Sequence, residues 1–277
     1  MSLTGKTVLV TGAGRGFGWG IAVALGAAGA TVVVTDVNEA DIERTVQDIS
    51  AAGGHAIGRQ LDVADAADFN RVVEETLDQT GNISGLIHSA IYMPLAPFEA
   101  TSQQAWQRQL DVGIGGLFNG AKAVWQAMVA GGGGHIIGIA SGSSLRGYHD
   151  EVPYCTVKHA QEGFVKALAL EARSQRIAIN TVGPGKPIKT TRVTWDELGA
   201  LPDAQRSAWA DPKELGRAFV WLLNQPPTRF SGLRFDAGPI VDTLDAEGDD
   251  FTVTPGKVTL YPEDFEVRKA YLETYSA

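Results

Sequence analysis

Short apolar runs alternate with helical periodicity along this chain, and that alternation limits the architecture more than any other property of the sequence. Residues 31–36, 55–61, 83–90, 135–140 and 177–182 read as buried strands. Between them Ile42, Val46 and Ile49, then Phe69, Val72, Val73 and Leu77, recur at helical intervals. Repeated strand, helix, strand units imply right-handed crossovers and strands that run in one direction. The expectation is an α/β chain: one doubly wound parallel sheet with helices on both faces. No internal repeat or long linker interrupts it, and the glycines at 131–134 read as the end of a long helix before a strand.

The first strand, Lys6-Thr7-Val8-Leu9-Val10, runs into Thr11-Gly12-Ala13-Gly14-Arg15-Gly16-Phe17-Gly18 and then an Ala-rich helical segment. Glycines let the backbone turn tightly and approach a pyrophosphate, and a helix N-terminus supplies unpaired N–H donors. The spacing is T-G-x-x-x-G-x-G. It departs from G-x-G-x-x-G, because Phe17 stands where a third glycine belongs, and it lacks the lysine of a P-loop.

Farther on, Tyr154 and Lys158 are four residues apart, so a helix places them on one face. A phenol beside an ammonium is an acid whose pKa can be drawn toward neutrality. Such a pair can equally be a solvated helix edge. Ser141 ends the apolar run 135–140, at the carboxyl end of a strand, where ligands sit in an open α/β sheet; the alternative there is a hydroxyl in an ordinary turn. Asp36 closes the second strand, where a carboxylate can accept hydrogen bonds from adenosine ribose hydroxyls.

Together these residues resemble the short-chain dehydrogenase/reductase family. The match runs from the glycine turn through Asp36, Asp62-Val63, Ser141, Tyr154 and Lys158. It continues in Asn180-Thr181-Val182-Gly183-Pro184-Gly185, Ser231-Gly232 and Asp236-Ala237-Gly238, covering about residues 3–243. The resemblance implies a Rossmann-type sheet of about seven strands and an NAD(P)-dependent enzyme that interconverts a secondary alcohol and its ketone. Tyr154 would be the general acid and base. Lys158 would lower the phenol's pKa by direct charge and hold the nicotinamide ribose, and Ser141 would hydrogen-bond the reacting oxygen. Cofactor contacts carry over to Gly12, Arg15, Gly16, Phe17 and Gly18 in the turn, then Asp36, Asp62 and Val63. Ser89, Ala90, Tyr154, Lys158, Pro184, Gly185 and Ile188 complete the set. Asp36 would repel a 2′-phosphate and so favours NAD, whereas Arg15 in the glycine turn points toward NADP.

The chain also departs from the family. The usual N-N-A-G is His88-Ser89-Ala90-Ile91, and His88 reads as a hydrogen-bonded core residue or a proton shuttle. The family's helical Asn aligns with Gly113. Because Gly113, Gly115 and Gly116 weaken a helix, the expectation is a helix interrupted near Gly113, its carbonyl free toward Lys158. The P-G-x-I-x-T segment, from Pro184 to Thr190, has one residue added. Residues 186–210, with Trp195 and Trp209, align with the family's substrate lid or form a packed surface helix. Tyr92, Met93, Leu95, Tyr148 and His149 join the two tryptophans as candidate pocket residues. Residues 244–277 read as a C-terminal extension with Phe251, Tyr261, Phe265, Tyr271, Leu272 and Tyr275, enough apolar surface to dock on the body or a neighbouring subunit. A homo-oligomer, dimer or tetramer, is implied, packed through helices at 113–128 and 154–172, where Ala121, Gly163, Ala167 and Ala169 allow close approach.

Composition excludes several other classes. A net charge of −9, with no basic stripe, argues against a nucleic-acid surface. The one cysteine excludes an internal disulfide, and no C-x-x-C or histidine cluster suggests a metal. Residues 1–6 lack the apolar core of a signal peptide and no run reaches membrane-spanning length, so a soluble cytoplasmic protein is expected. Three functions remain open: an NAD-dependent dehydrogenase, an NADP-linked carbonyl reductase, and a cofactor-binding sensor or regulatory protein that has lost turnover.

Overall fold

A computed structural model describes residues 1–189, 193–254 and 256. Among them seven strands, β1 (Thr7–Thr11), β2 (Thr31–Asp36), β3 (His55–Gln60), β4 (Gly85–His88), β5 (Gly134–Ile139), β6 (Ile177–Gly183) and β7 (Arg234–Asp236), form one sheet. Its order is β3-β2-β1-β4-β5-β6-β7 and every pairing is parallel. The helices are α1 (Gly16–Ala27), α2 (Glu39–Ala51), α3 (Ala66–Thr80), α4 (Gln103–Leu110), α5 (Gly116–Ala130) and α6 (Val152–Ala172). They continue as α7 (Trp195–Ala200), α8 (Asp203–Arg206), α9 (Pro212–Asn224) and α10 (Ala237–Glu247).

Successive strand residues point to opposite faces, so a strand buried on both sides must be apolar at every position. Val8 and Val10 enter one core and Leu9 the other; Val32 and Val34 divide from Val33 in the same way. The first core gathers Ile21 and Leu25 of α1, Leu215 and Phe219 of α9, and Ile240 of α10. The second takes Phe69 and Val72 of α3, Leu117 and Val124 of α5, and Val165 of α6. Each such side chain contributes about 1.5–3 kcal/mol on burial. Helices α1 and α9 approach closely: a Cβ on Gly216 would lie 2.6 Å from Ala24 Cβ and 2.9 Å from the Gly20 carbonyl oxygen.

The strand order reverses between β1 and β4, the arrangement that opens a crevice at the carboxyl ends of the strands. Thr11 and His88 are register partners there. Strand β4 ends at His88, earlier than the apolar run suggests: the Ser89 N–H is shared between the Thr11 carbonyl and Thr11 Oγ1, 3.2 Å each, and the Ala90 N–H goes to Thr11 Oγ1 alone at 3.2 Å. Helix α10 runs through residue 243 to Glu247. Beyond it Phe251 stacks on Trp221, ring centroids 4.7 Å apart, and Val253 is buried. The aromatic residues from Tyr261 to Tyr275 lie outside the described residues. No described helix is long and apolar enough to cross a membrane.

Candidate active site

The glycine turn builds one half of the crevice. Gly12 adopts φ +62°, and a Cβ there would lie 2.6 Å from Ala90 Cα, so only glycine brings these backbones together. A Cβ on Gly18 would collide with the Gly12 carbonyl. Gly14 donates its N–H to Asp36 Oδ2 at 3.1 Å, while Asp36 Oδ1 takes the N–H groups of Val37 (2.8 Å) and Asn38 (3.2 Å). No side chain caps α1, which leaves its first amides available to an anion. A cavity of about 210 Å³ is lined here by Gly12, Arg15, Asp36, Val63, Ser89 and Ala90. These features fit a dinucleotide: a phosphate-sized approach at the helix start and a carboxylate where a ribose would lie. Asp62 is turned to α4, paired with Arg108 at 2.9 Å; Arg108, not Asp62, lines the cavity.

A second cavity, of about 280 Å³, adjoins the first through shared Ser89 and Ile91, and it brings together Phe17, Ser141, Tyr154, Lys158, Pro184 and Ile188. Phe17 is nearly buried and also packs edge-on against Phe219. Gly16 and Gly185 line neither cavity. Both have positive φ, and a Cβ on Gly185 would lie 2.8 Å from Asp236 Cβ.

Tyr154 and Lys158 occupy successive turns of α6, as their spacing requires, with Nζ 5.5 Å from the centre of the phenol ring. Lys158 is 3% exposed, and its ammonium donates to the Ile139 carbonyl at 2.6 Å and to Gln161 Oε1 at 3.0 Å. Burial lowers its pKa to about 7; nearby Arg234 pushes the same way and Glu162 opposes. Tyr154 moves in the other direction, pushed up to about 12 by burial, with the Ser141 hydroxyl pulling it down and Glu151 and Cys155 adding to the rise. This departs from the expectation that Lys158 depresses the phenol directly. The ammonium donates to two neutral oxygens and its Nζ stands 5.5 Å from the ring centre, so at the phenol burial outweighs the stabilisation that a neighbouring positive charge gives a phenolate.

Ser141 is held at its backbone from both sides. Arg234 Nη2 donates to its carbonyl at 2.9 Å, and its N–H donates to Ser144 Oγ at 3.2 Å. Its own Oγ accepts the N–H of Ser143 at 3.2 Å, which leaves the hydroxyl proton to be donated toward Tyr154. Arg234 is buried and ion-paired with Glu162 at 2.6 Å, and Thr181 completes that carboxylate at 3.0 Å. The sequence reading missed this pair. A lone arginine inside an apolar strand segment, with a glutamate four residues past Lys158, was the available signal.

Residues Asp111–Gly115 form a π-helical turn between α4 and α5. The interruption falls at the expected residue, but the Gly113 carbonyl is not free toward Lys158: it accepts from His88 Nε2 (2.9 Å) and Gln161 Nε2 (3.0 Å), and it is the Gln161 amide that meets the ammonium. His88 is the hydrogen-bonded core residue of the two readings: it is buried and its pKa falls to about 4, chiefly through burial. Met93 and Tyr148 line the second cavity together with Glu151, whose Oε2 accepts from Ser143 Oγ at 2.7 Å. Neither Trp195 nor Trp209 does. Trp195 closes over the glycine turn instead, with Nε1 3.3 Å from the Gly14 carbonyl and its ring edge-on to Trp19. Among the described residues no cluster of His, Cys, Asp or Glu is arranged to hold a metal.

Residues 6–197 match the short chain dehydrogenase family. D-threitol dehydrogenase of Mycolicibacterium smegmatis is 31% identical over 236 residues, 83% of this chain and 90% of that protein. Cyclohexanol dehydrogenase of an Acinetobacter species is 30% identical over 232 residues, 83% of this chain and 92% of its own. A solved structure from Sinorhizobium meliloti, described as a short-chain alcohol dehydrogenase, superposes with a TM-score of 0.76 at 28% identity, over 85% of this chain and 96% of its own.

Proposed function

Because the chain belongs to the short-chain dehydrogenase family and is an oxidoreductase acting on CH–OH groups, we propose that it interconverts a neutral secondary alcohol and its ketone with NAD, using Tyr154 as general acid and base. One observation carries the reading: Ser141, Tyr154 and Lys158 line a single cavity that shares Ser89 and Ile91 with the crevice of the glycine turn.

Gly12, the first amides of α1, Asp36, Val63 and Ala90 would hold the adenosine and pyrophosphate portions, and Phe17, Pro184 and Ile188 the nicotinamide end. When bound, NAD supplies the acceptor for the hydride. In oxidation Ser141 keeps its proton and donates a hydrogen bond to the alcohol oxygen, which fixes its position. Tyr154, as phenolate, takes the alcohol proton while the carbon loses hydride, and the oxygen becomes the ketone carbonyl. The reverse direction returns the proton from the phenol. The ammonium of Lys158 lowers the energy of the phenolate, which opposes the rise that burial imposes on Tyr154. Glu151 narrows the substrate class, since a carboxylate in the cavity accepts a hydrogen bond from a second substrate hydroxyl and repels an anionic substrate. Two relatives named for neutral alcohols, threitol and cyclohexanol, accord with this.

The test is a panel of neutral secondary alcohols, vicinal diols and hydroxy acids with NAD and NADP, read by absorbance of the reduced coenzyme. Tyr154→Phe is expected to lower kcat by about a hundredfold or more, the usual worth of general acid-base catalysis, with NAD affinity nearly unchanged. Turnover within about threefold of the parent removes Tyr154 from the mechanism.

A further inference from the structure

Gln161 is buried on α6 beside Lys158, and the chemistry above makes no use of it. Its amide stands between a donor and an acceptor. Lys158 Nζ donates to Oε1 and Nε2 donates to the Gly113 carbonyl, both at 3.0 Å. An ammonium only donates and a carbonyl only accepts, so the neighbours fix which way the amide faces. The same carbonyl takes the Nε2–H of His88, and His88 Nδ1 accepts from the Thr11 hydroxyl at 3.1 Å. Thr11 Oγ1 in turn receives the N–H groups of Ser89 and Ala90, which line the coenzyme crevice. An unbroken run of buried hydrogen bonds therefore joins the crevice wall to the lysine.

The local fold makes this possible. The π turn at Asp111–Gly115 lies against α6, and a Cβ on Gly113 would overlap Val157. The charged and titratable groups that face Lys158 are Tyr154 and Glu162 on its own helix, Arg234 from β7 and His88 from β4. Glu162 is engaged by Arg234 and Thr181, so the ammonium rests on the neutral oxygens of Ile139 and Gln161.

We infer that Gln161 is a positioning residue for the reaction: its amide, anchored on the Gly113 carbonyl, holds the Lys158 ammonium at its post beside Tyr154. This rests on Lys158 being part of the machinery. With an apolar side chain at 161 a buried ammonium loses a hydrogen bond, its charged form is disfavoured, and a phenolate beside it forms only at higher pH.

The test is a double-mutant cycle of Gln161→Leu with Lys158→Met, measured by steady-state kinetics of alcohol oxidation and by calorimetric NAD binding. In the parent background Gln161→Leu is expected to lower kcat about tenfold or more, as for loss of a hydrogen bond to a charged group. Substrate KM should change by less than about twofold, and the acid limb of the pH profile should move to higher pH. In the Lys158→Met background the same substitution should leave kcat and NAD affinity unchanged, because the group it acts through is gone. Gln161→Glu, which keeps an oxygen for the ammonium, should retain more turnover than the leucine variant. Where Gln161→Leu does not fold, Gln161→Met takes its place with the same expected losses. Equal losses in both backgrounds, or parental kcat and pH profile in the apolar variant, overturn the role. Parental turnover in Lys158→Met alone overturns the reading of the site instead.

Discussion

At Asp36 three backbone N–H groups, those of Gly14, Val37 and Asn38, converge on one carboxylate and fix it at the end of β2. A carboxylate so held is ready to accept from ribose hydroxyls and opposes a phosphate in the same place. NAD should bind more tightly than NADP, and Asp36→Ala should narrow the gap by about tenfold, or ~1.4 kcal/mol. Calorimetry showing tighter NADP binding to the parent would transfer the choice to Arg15, which lines the same cavity. Glu151 gives a prediction about pH. Its charge raises the Tyr154 pKa, because a phenolate beside a carboxylate is disfavoured. Glu151→Gln should therefore lower that pKa, and alcohol oxidation, which needs the phenolate, should keep its rate to lower pH. An acid limb that stays in place, or moves up, removes Glu151 from the neighbourhood of the reacting proton.

Among the elements, the turn at Asp111–Gly115 decides how far the sequence could be read. Gly113, Gly115 and Gly116 each cost a helix about 1 kcal/mol relative to Ala, so the break between α4 and α5 is legible from propensity. The packing that requires them is not legible: a Cβ on Gly116 would lie 2.7 Å from His88 Cε1, and one on Gly113 would overlap Val157. Restoring the family's asparagine should accordingly harm this enzyme. Gly113→Asn is expected to destabilise it by about 1–3 kcal/mol, the range for overpacking, and Val157→Ala in the same chain should recover part of the loss. Equal or greater stability of Gly113→Asn alone, by chemical denaturation, would show that α6 yields freely there. The strands, the glycine turn and the Tyr154–Lys158 pair were legible because each is a local pattern. The Glu162–Arg234 ion pair and the Gln161 bridge join elements far apart in the chain. On the helix alone Glu162 reads as the partner of Lys158, until β7 delivers an arginine to claim it.

For the whole molecule, of the small residues expected to allow close helix approach, Gly163 and Ala167 are exposed on α6, as is the neighbouring Leu170 at 40%. Ala121 and Ala169 belong to the internal core instead. Within the chain two buried histidines are expected to cost stability in acid. His88 and His135 are held neutral, each lowered to about 4, with burial as the main cause and a nearby lysine, Lys158 or Lys6, adding to it. An unfolded chain binds these protons near pH 6.5 and the folded one does not until about pH 4, so the stability they contribute is complete above about 6.5 and drains away as pH falls through that window. Each shift corresponds to about 3 kcal/mol at most. Urea denaturation between pH 7 and pH 4 should show this decline. His135→Gln offers an amide to the Gln225 carbonyl that His135 Nε2 now holds at 3.0 Å, and it carries no proton to be taken up. That variant should lose less stability than the parent between pH 6.5 and pH 4, by about one proton's worth of slope. If its decline matches the parent's, His135 titrates alike in both states and acid sensitivity must come from elsewhere in the fold.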